Sequence, residues 1–493
     1  MGVIAGALER YLLSAAPRLQ AGYAADLRLG GGRLLGNLRM AVAEEEKSAE
    51  FGALRRVCLA DATVAKSRFY SSPVTEDAWG RALGAYLRNT GAYLSVARSE
   101  QVEHHGLAER LVKEAARTAH TVTYYAMLEG VDLGTGEAAW GNYRLVYLNP
   151  TSLGDVLSLQ TRALFLDDDP ADLRRLAHHW FVVASERVAT GIKGARRRLQ
   201  RHWSSRLTLH AGEFSAPVED ALATLALYDW QPEWAEDDRP RAVEKQLGWM
   251  GFRVPVVFET GGDLLCQPRP IPDTSEVALK PVAGPDREEI GEGPEQSFLE
   301  LDAAQTQRLQ EFVAELQACR DRLASLPSAD FLRVATDAML KALLSRGMEQ
   351  LLWHITAIGA VLGEVKAGES TTSLLARRLA SVLASTKPDR NDVSKGFSEL
   401  YAFRSDLVHG RRPGKGAFRG HLTRAREFSR SVTVWALRAF ACLHEAAAAD
   451  AALAPERGDL LRLVDLTEQQ WQKLAQYAGI VPGGFPHVPG WLR

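Results

Sequence analysis

The residues of this chain best suited to chemistry stand together in the string ELYAFRSDLVHG, residues 399–410. Arg404 is followed directly by Ser405 and, after four intervening residues, by His409. A histidine titrates near pH ~6.5, so it can take up and return a proton around neutrality. An arginine stays charged, and its planar fork of donors meets phosphate oxygens two at a time. Together they suit attack by a ribose 2′-hydroxyl on the adjoining phosphate. His409 would serve as the base, Arg404 would hold the charge gathering on the phosphate oxygens, and Ser405 would orient one of them. The plainer alternative is structural: Arg404 paired with an acidic neighbour, and His409 at a helix C-terminus, where the dipole favours cations.

A helix must carry these side chains. Val393, Phe397, Leu400, Phe403 and Leu407 form an apolar stripe at helical spacing. The pattern predicts a helix capped by Asn391 or Asp392, after a break at Lys387-Pro388, and stopped by Gly410 at the C′ position. On an ideal helix Arg404 and His409 lie about 140° apart, whereas Ser405 and His409, four residues apart, share a face. Two such helices meeting about a two-fold axis would let one pair from each chain converge in a common cleft.

The local charge suits a polyanion. The chain carries a formal net charge of -2, so a nucleic-acid site must be a local patch. Between residues 377 and 430 there are 13 Lys or Arg and 5 Asp or Glu, an excess of +8. Arg411, Arg412, Lys415 and Arg419 follow the motif in a Gly- and Pro-containing stretch that could track a phosphate backbone. Arg424, Arg426 and Arg430 extend the patch onto the next helix.

Other constellations read as structural. The glycines of RLGGGRLLG, residues 28–36, are not followed by the Lys and Ser or Thr of a phosphate loop, so they predict a turn. Asp167, Asp168 and Asp169 read as the start of a long helix, with Asp169 as its cap and Pro170 in its first turn. His178 and His179 would lie on that helix without ligand partners, and ARRRLQRH, residues 195–202, would be a basic face near its end. No metal site or cofactor is expected. Cys58, Cys266, Cys319 and Cys442 are widely spaced with no CxxC pair, which fits a reducing cytoplasm. A signal peptide, a myristoylation signal and an apolar run of membrane-spanning length are all missing from the pattern, so no membrane partner is expected.

The frame around the motif divides unevenly. Residues 1–270 read as a mixed α/β region, for sensing or regulation, with short β-hairpins. One hairpin is expected from TVTYYAML and YRLVYL about Gly134 and Gly136, another from the strands either side of Gly261-Gly262. Residues 271–297, rich in Pro, Gly and acids, read as a linker, 298–450 as an all-α bundle, and 451–493 as a C-terminal tail. In the bundle, helices are expected over 301–326, over 329–364 with a break at Gly347, from Ser370 or Thr371 to about Ser385, and from about Phe418 to Ala448. The fold class is α+β.

The motif and its frame resemble a known family. An Arg, four to six intervening residues and a His, late on a helix of a bundle, are the mark of HEPN ribonucleases. ELYAFRSDLVHG resembles their Apea-like branch, and EQLLWHITAIGAVLGE and SLLARRLASVL precede it in the expected order. The resemblance implies an all-α HEPN bundle that forms a homodimer. It also implies a metal-independent endoribonuclease of an abortive-infection or growth-arrest system, a toxin-like hydrolase with tRNA or mRNA as target. Arg404, His409 and Ser405 would be its catalytic residues, leaving 2′,3′-cyclic phosphate and 5′-hydroxyl ends. Arg411, Arg412, Lys415, Arg419 and Arg424 would bind RNA, and a phage-derived or regulatory trigger would act on the N-terminal region. Family ribonucleases often carry Asn, Asp or His where Ser405 stands, and a glutamate near the centre of the upstream helix, where this chain has Ala357-Ile358-Gly359. Those differences define the alternative, a non-catalytic HEPN module for dimerisation or RNA binding.

Overall fold

The computed structural model describes residues 2–28, 35–61, 64, 76–133, 138–158, 163–165, 173–189, 215–229, 252–268, 277, 299–364, 368–384, 386–411, 417–447, 455–467 and 469–470. The fold is α+β: a mostly helical chain with, among the described residues, a five-stranded sheet and a two-stranded one. It forms two compact units, each assembled from separated stretches of sequence. One comprises Met1–Met127, Val146–Leu207 and Pro255–Glu292, the other Leu128–Leu145, Thr208–Val254 and Gly293–Arg493. This division does not follow the expected linear one, because sections of residues 1–270 fold with the C-terminal bundle.

The first unit opens with six helices: α1 (Gly2–Arg28), α2 (Gly36–Glu45), α3 (Ala49–Ala60), α4 (Glu76–Asn89), α5 (Ala92–Ala97) and α6 (His104–Ala116). Among the described residues of this stretch every regular element is a helix, and the strands of the mixed region follow it. Ile4, Leu8, Tyr11, Leu12, Ala15 and Leu19 recur at helical spacing on α1 and build its core with Leu38, Leu54, Trp79, Tyr86 and Leu107. A sharp bend separates α4 from α5 at Gly91, whose φ of +74° suits a residue without Cβ. The glycines of 29–34 lie outside the described residues.

The strands differ most from expectation. They are β1 (Ala119–Leu128), β2 (Val131–Asp132), β3 (Ala138–Trp140), β4 (Tyr143–Leu148), β5 (His179–Ala189), β6 (Val257–Gly261) and β7 (Leu299–Glu300), with α7 (Pro150–Leu157) and α8 (Leu173–Leu176) between β4 and β5. The five-stranded sheet has the order β3-β4-β5-β1-β6, so β1 and β4 are not a hairpin; β5 lies between them. Instead β4 turns back on β3 through Gly141 and Asn142, pairing Trp140 with Tyr143, while the Gly134–Gly136 turn lies outside the described residues. β1 runs antiparallel to β6, and Tyr125 stacks on Phe258 across that pair with ring centroids 5.1 Å apart. The second hairpin also fails: after β6 the chain enters a turn in which the Asp263 carboxylate accepts the Leu265 N–H at 3.0 Å.

β5 corrects the long helix expected after Asp169. His178 has a φ of +65° and His179 begins the strand, so neither is helical. The first six residues of β5 are all buried, and a strand covered on both faces shows no alternation to distinguish it from a buried helix. Asp167, Asp168 and Asp169, Pro170 and the basic run at 195–202 lie outside the described residues, as does most of the expected linker. Val277, within that linker, is buried in the sheet's core and its carbonyl accepts Arg175 Nη1–H at 2.5 Å.

The second unit is a helical bundle of α9 (Ala216–Ala226), α10 (Ala303–Leu323), α11 (Asp330–Leu344), α12 (Gly347–Leu362), α13 (Thr371–Leu383), α14 (Lys387–Val408), α15 (Ala417–Ala447) and α16 (Arg457–Asp465). Gly347, with φ +61°, makes the expected break between α11 and α12, and Ser370 caps α13 through the Ser373 N–H. α9 joins the bundle through Asp220, whose carboxylate accepts from Tyr143 Oη at 2.5 Å and Gln317 Nε2 at 3.1 Å and pairs with Arg320. Leu460 and Val464 of α16 enter the bundle core, so the segment expected as a tail carries a packed helix. Arg378 of α13, fully buried, binds the Asp465 carboxylate with Nε at 2.9 Å and Nη2 at 2.7 Å, and Glu364 at 2.8 Å. Among the described residues, no helix is long and apolar enough to cross a membrane.

Candidate active site

α14 positions Arg404, Ser405 and His409, and its start differs from expectation. Thr386 is the cap, with Oγ1 accepting the Asp389 N–H at 3.3 Å, and Lys387-Pro388 opens the helix. A proline in the first turn removes only an N–H that has no helical partner there, so it begins this helix instead of breaking it. Asn391 and Asp392 lie inside. Phe397, Leu400 and Phe403 are buried as the apolar stripe requires, with Val393 and Leu407 packed at its margin.

The C-terminal end is closed as the sequence predicts. His409 is the C-cap, Gly410 has a φ of +73°, and the Gly410 and Arg411 N–H groups bond the Leu407 and Asp406 carbonyls at 3.0 and 2.8 Å. This is the paired bonding of a Schellman motif. It holds His409 one residue before the chain leaves the helix, where its ring is exposed. Measured around the helix from Arg404, Val408 lies at about 40°, Ser405 at about 100° and His409 at about 140°. All four border one arc of surface, with Ser405 between the cation and the base and Val408 exposed at 53%.

Arg404 lies over the ring of Tyr401, one turn back, with its Cζ 5.6 Å from the ring centroid. Among the described residues, neither the Arg404 guanidinium nor the His409 ring has a hydrogen bond or ion pair. Tyr401 is a neighbour the sequence reading missed, although its i−3 spacing from Arg404 marked it. On the opposite side of the helix His421 of α15 stacks on Phe403, centroids 4.2 Å apart, and burial lowers its pKa from the usual histidine value.

No family model, curated protein or solved structure matches this chain. The arrangement of its own residues therefore carries the functional reading.

The basic patch is less open than its composition suggests. Arg411 pairs with Asp406 at 3.0 Å, Arg424 with Glu399 at 3.1 Å and Arg430 with Asp229 at 2.8 Å. Arg377 pairs with Glu369 and Asp465, and Arg378 with Glu364 and Asp465. Counting the carboxylates of Asp229, Glu364, Glu369 and Asp465, which lie outside the 377–430 window, lowers the local excess from +8 to +4. Arg426 is buried, with 6% of its surface exposed, and is not part of a surface patch. Arg412 and Lys415 lie outside the described residues, and Arg419 is placed on α15 without its side chain being described.

The centre of α12, where a glutamate would be expected from the resemblance, is apolar at Ala357 and Ile358. Its ionisable group is His354, fully buried, whose pKa falls to about 3 through burial and the charge of Arg426. His354 is neutral at physiological pH and sits in the core with its Nδ1 2.8 Å from Ser429 Oγ. No sequence signal separated it from the other helical residues around it.

Proposed function

We propose that this chain is a metal-independent endoribonuclease of the Apea-like HEPN type, acting through Arg404, Ser405 and His409. One observation carries the reading. A permanent cation and an imidazole border one arc of α14, partly exposed at Arg404 and exposed at His409, neither with a hydrogen bond or ion pair among the described residues, at a helix end held by a Schellman motif.

In the reaction His409 takes the proton of a ribose 2′-hydroxyl, and the 2′-oxygen bonds to the adjoining phosphorus. The bond from phosphorus to the 5′-oxygen breaks, and that oxygen leaves with a proton returned by the imidazolium or by water. Arg404 holds the non-bridging oxygens while charge builds on them, and the Ser405 hydroxyl orients one of them. The products are a 2′,3′-cyclic phosphate and a 5′-hydroxyl end. Because the 2′-hydroxyl is the nucleophile, DNA is not cut. A homodimer would bring a second Arg–His pair to the cleft. The reading extends to a defence or growth-arrest role in the cytoplasm, with tRNA or mRNA as substrate and a phage-derived or regulatory trigger acting on the N-terminal region.

Ser405 beside Arg404 and the apolar centre of α12 at Ala357 and Ile358 favour a second reading, a HEPN module that dimerises or binds RNA without cutting it. The test is induction of the wild type and of His409→Ala in growing cells, with total RNA sequenced for new 5′-hydroxyl ends. Growth arrest with discrete new ends, both abolished by the substitution, supports the ribonuclease. If neither protein produces new ends even with a phage trigger supplied, the binding module replaces it.

A further inference from the structure

Tyr401 stands one turn before Arg404 on α14. Measured around the helix from Arg404 it lies at about 60°, on the side of Ser405 and His409 and short of both. Tyr401, Ser405 and His409 follow one another at spacings of four residues, so they form one row along the helix. The ring is fixed from behind: Tyr401 packs against the bundle core and meets the fully buried Phe397 with ring centroids 5.9 Å apart. Arg404 lies over this ring, its Cζ 5.6 Å from the centroid. The guanidinium is thereby drawn round the helix toward the row that carries the hydroxyl and the imidazole.

The neighbouring charges leave Arg404 to the ring. The acids nearest to it in sequence on α14, Glu399 and Asp406, pair with Arg424 at 3.1 Å and Arg411 at 3.0 Å. Arg404 itself has no hydrogen bond or ion pair among the described residues. An aromatic face attracts a cation without offering the oxygen acceptors of a carboxylate. Arg404 therefore keeps the five N–H donors of its guanidinium for a ligand. A free arginine side chain spreads over many rotamers, and ordering it when phosphate arrives weakens binding; the ring restricts it beforehand.

We propose that Tyr401 is a positioning residue of this site, its ring holding the Arg404 guanidinium beside the row of Ser405 and His409 with the donors open to an RNA phosphate. The inference rests on the ribonuclease reading for its effect on cleavage. The contact itself acts on any bound phosphodiester, cut or uncut. Tyr401 works through Arg404 and takes no part in proton transfer, so the ring matters and the phenol hydroxyl does not. A ring that served only the packing of α14 would have the same effect whether Arg404 were present or not.

The test is a double-mutant cycle on the full chain with Tyr401→Leu and Arg404→Ala. Affinity is read at low salt with a mixed-sequence 2′-O-methyl RNA, which has no free 2′-hydroxyl and is not cut. Tyr401→Leu should weaken binding about threefold where Arg404 is present and leave it unchanged in the Arg404→Ala background. Tyr401→Phe keeps the ring and should bind as the wild type does. In growing cells supplied with a phage trigger, Tyr401→Leu should lower the yield of new 5′-hydroxyl ends about tenfold, and Tyr401→Phe should restore it. Equal weakening by Tyr401→Leu in both backgrounds, or none in either, overturns the proposal even if the wild type cuts RNA, as does a wild type that does not bind. Coupling in binding without new ends from the wild type overturns the ribonuclease reading alone and leaves Tyr401 positioning an arginine that binds RNA. Should Tyr401→Leu fail to fold, pentafluorophenylalanine at position 401 keeps the shape of the ring and removes the negative charge of its face. That protein should show the same weakening, and wild-type affinity in it overturns the proposal.

Discussion

Asp406 holds Arg411 twice. Its carbonyl accepts the Arg411 N–H at 2.8 Å, and its carboxylate pairs with the Arg411 guanidinium at 3.0 Å. The first bond closes α14 just beyond His409. The second draws a cation that could meet phosphate back onto the helix that carries the candidate base.

The ion pair is exposed, so its removal should change binding more than stability. Asp406→Asn keeps the backbone bond and frees Arg411. RNA affinity should rise about threefold at low salt, and the slope of log affinity against log salt should steepen by about one contact. Stability should change by less than about 1 kcal/mol. Filter binding across a salt series measures this, and an unchanged slope would show that Arg411 meets no phosphate.

Gly410 tests the helix end itself. A Cβ added there meets nothing within 4 Å, so the cost of Gly410→Ala is that of the positive φ alone, about 1–2 kcal/mol. Urea unfolding should show that loss. RNA cleavage measured under conditions where the variant stays folded should fall as well, because His409 loses its fixed position.

The buried imidazole of His354 predicts acid sensitivity. Its folded pKa of about 3 lies below the ordinary histidine value, so below pH ~6.5 the unfolded chain binds a proton that the folded chain refuses. Its contribution to stability is therefore complete above that value and is lost as the pH falls from there toward 3. At pH 5 the loss should be about 2 kcal/mol. His354→Asn, which can retain a hydrogen bond to Ser429, should be less stable at neutral pH and should flatten the decline between pH 6.5 and 5. An undiminished slope in denaturant titrations of the variant would assign the acid sensitivity to other groups.

Arg378 anchors α16. Replacing it by Met removes the guanidinium that Asp465 and Glu364 share, while Arg377 still pairs with Asp465, and the bundle should lose about 1.5–3 kcal/mol. Arg378→Met combined with Asp465→Asn should recover part of that loss. Chemical denaturation of the two single variants and the double variant measures the coupling.

The elements of the bundle were legible because their signals are local. Gly347 breaks one helix, Ser370 caps another, and Gly410 stops α14 where a residue of positive φ was expected. Arg404, Ser405 and His409 were placed on a helix end by the same reasoning. Where the signals were ambiguous the reading failed. Pro388 marks a helix start as readily as a break, and the fully buried run of β5 has the apolar density of a core helix.

By itself, then, the sequence determined the helical periodicity of the bundle, its stops and caps, and the presence of a base and a cation at one helix end. Each of these depends on residues within about one turn of one another. Only the tertiary structure decided which strands pair, which stretches share a unit, and which charges remain open. Arg430 meets Asp229 across 201 residues and Arg378 meets Asp465 across 87. Composition counts charges but cannot pair them over such distances, and burial of His354 and Arg426 exists only once α12 and α15 have packed together.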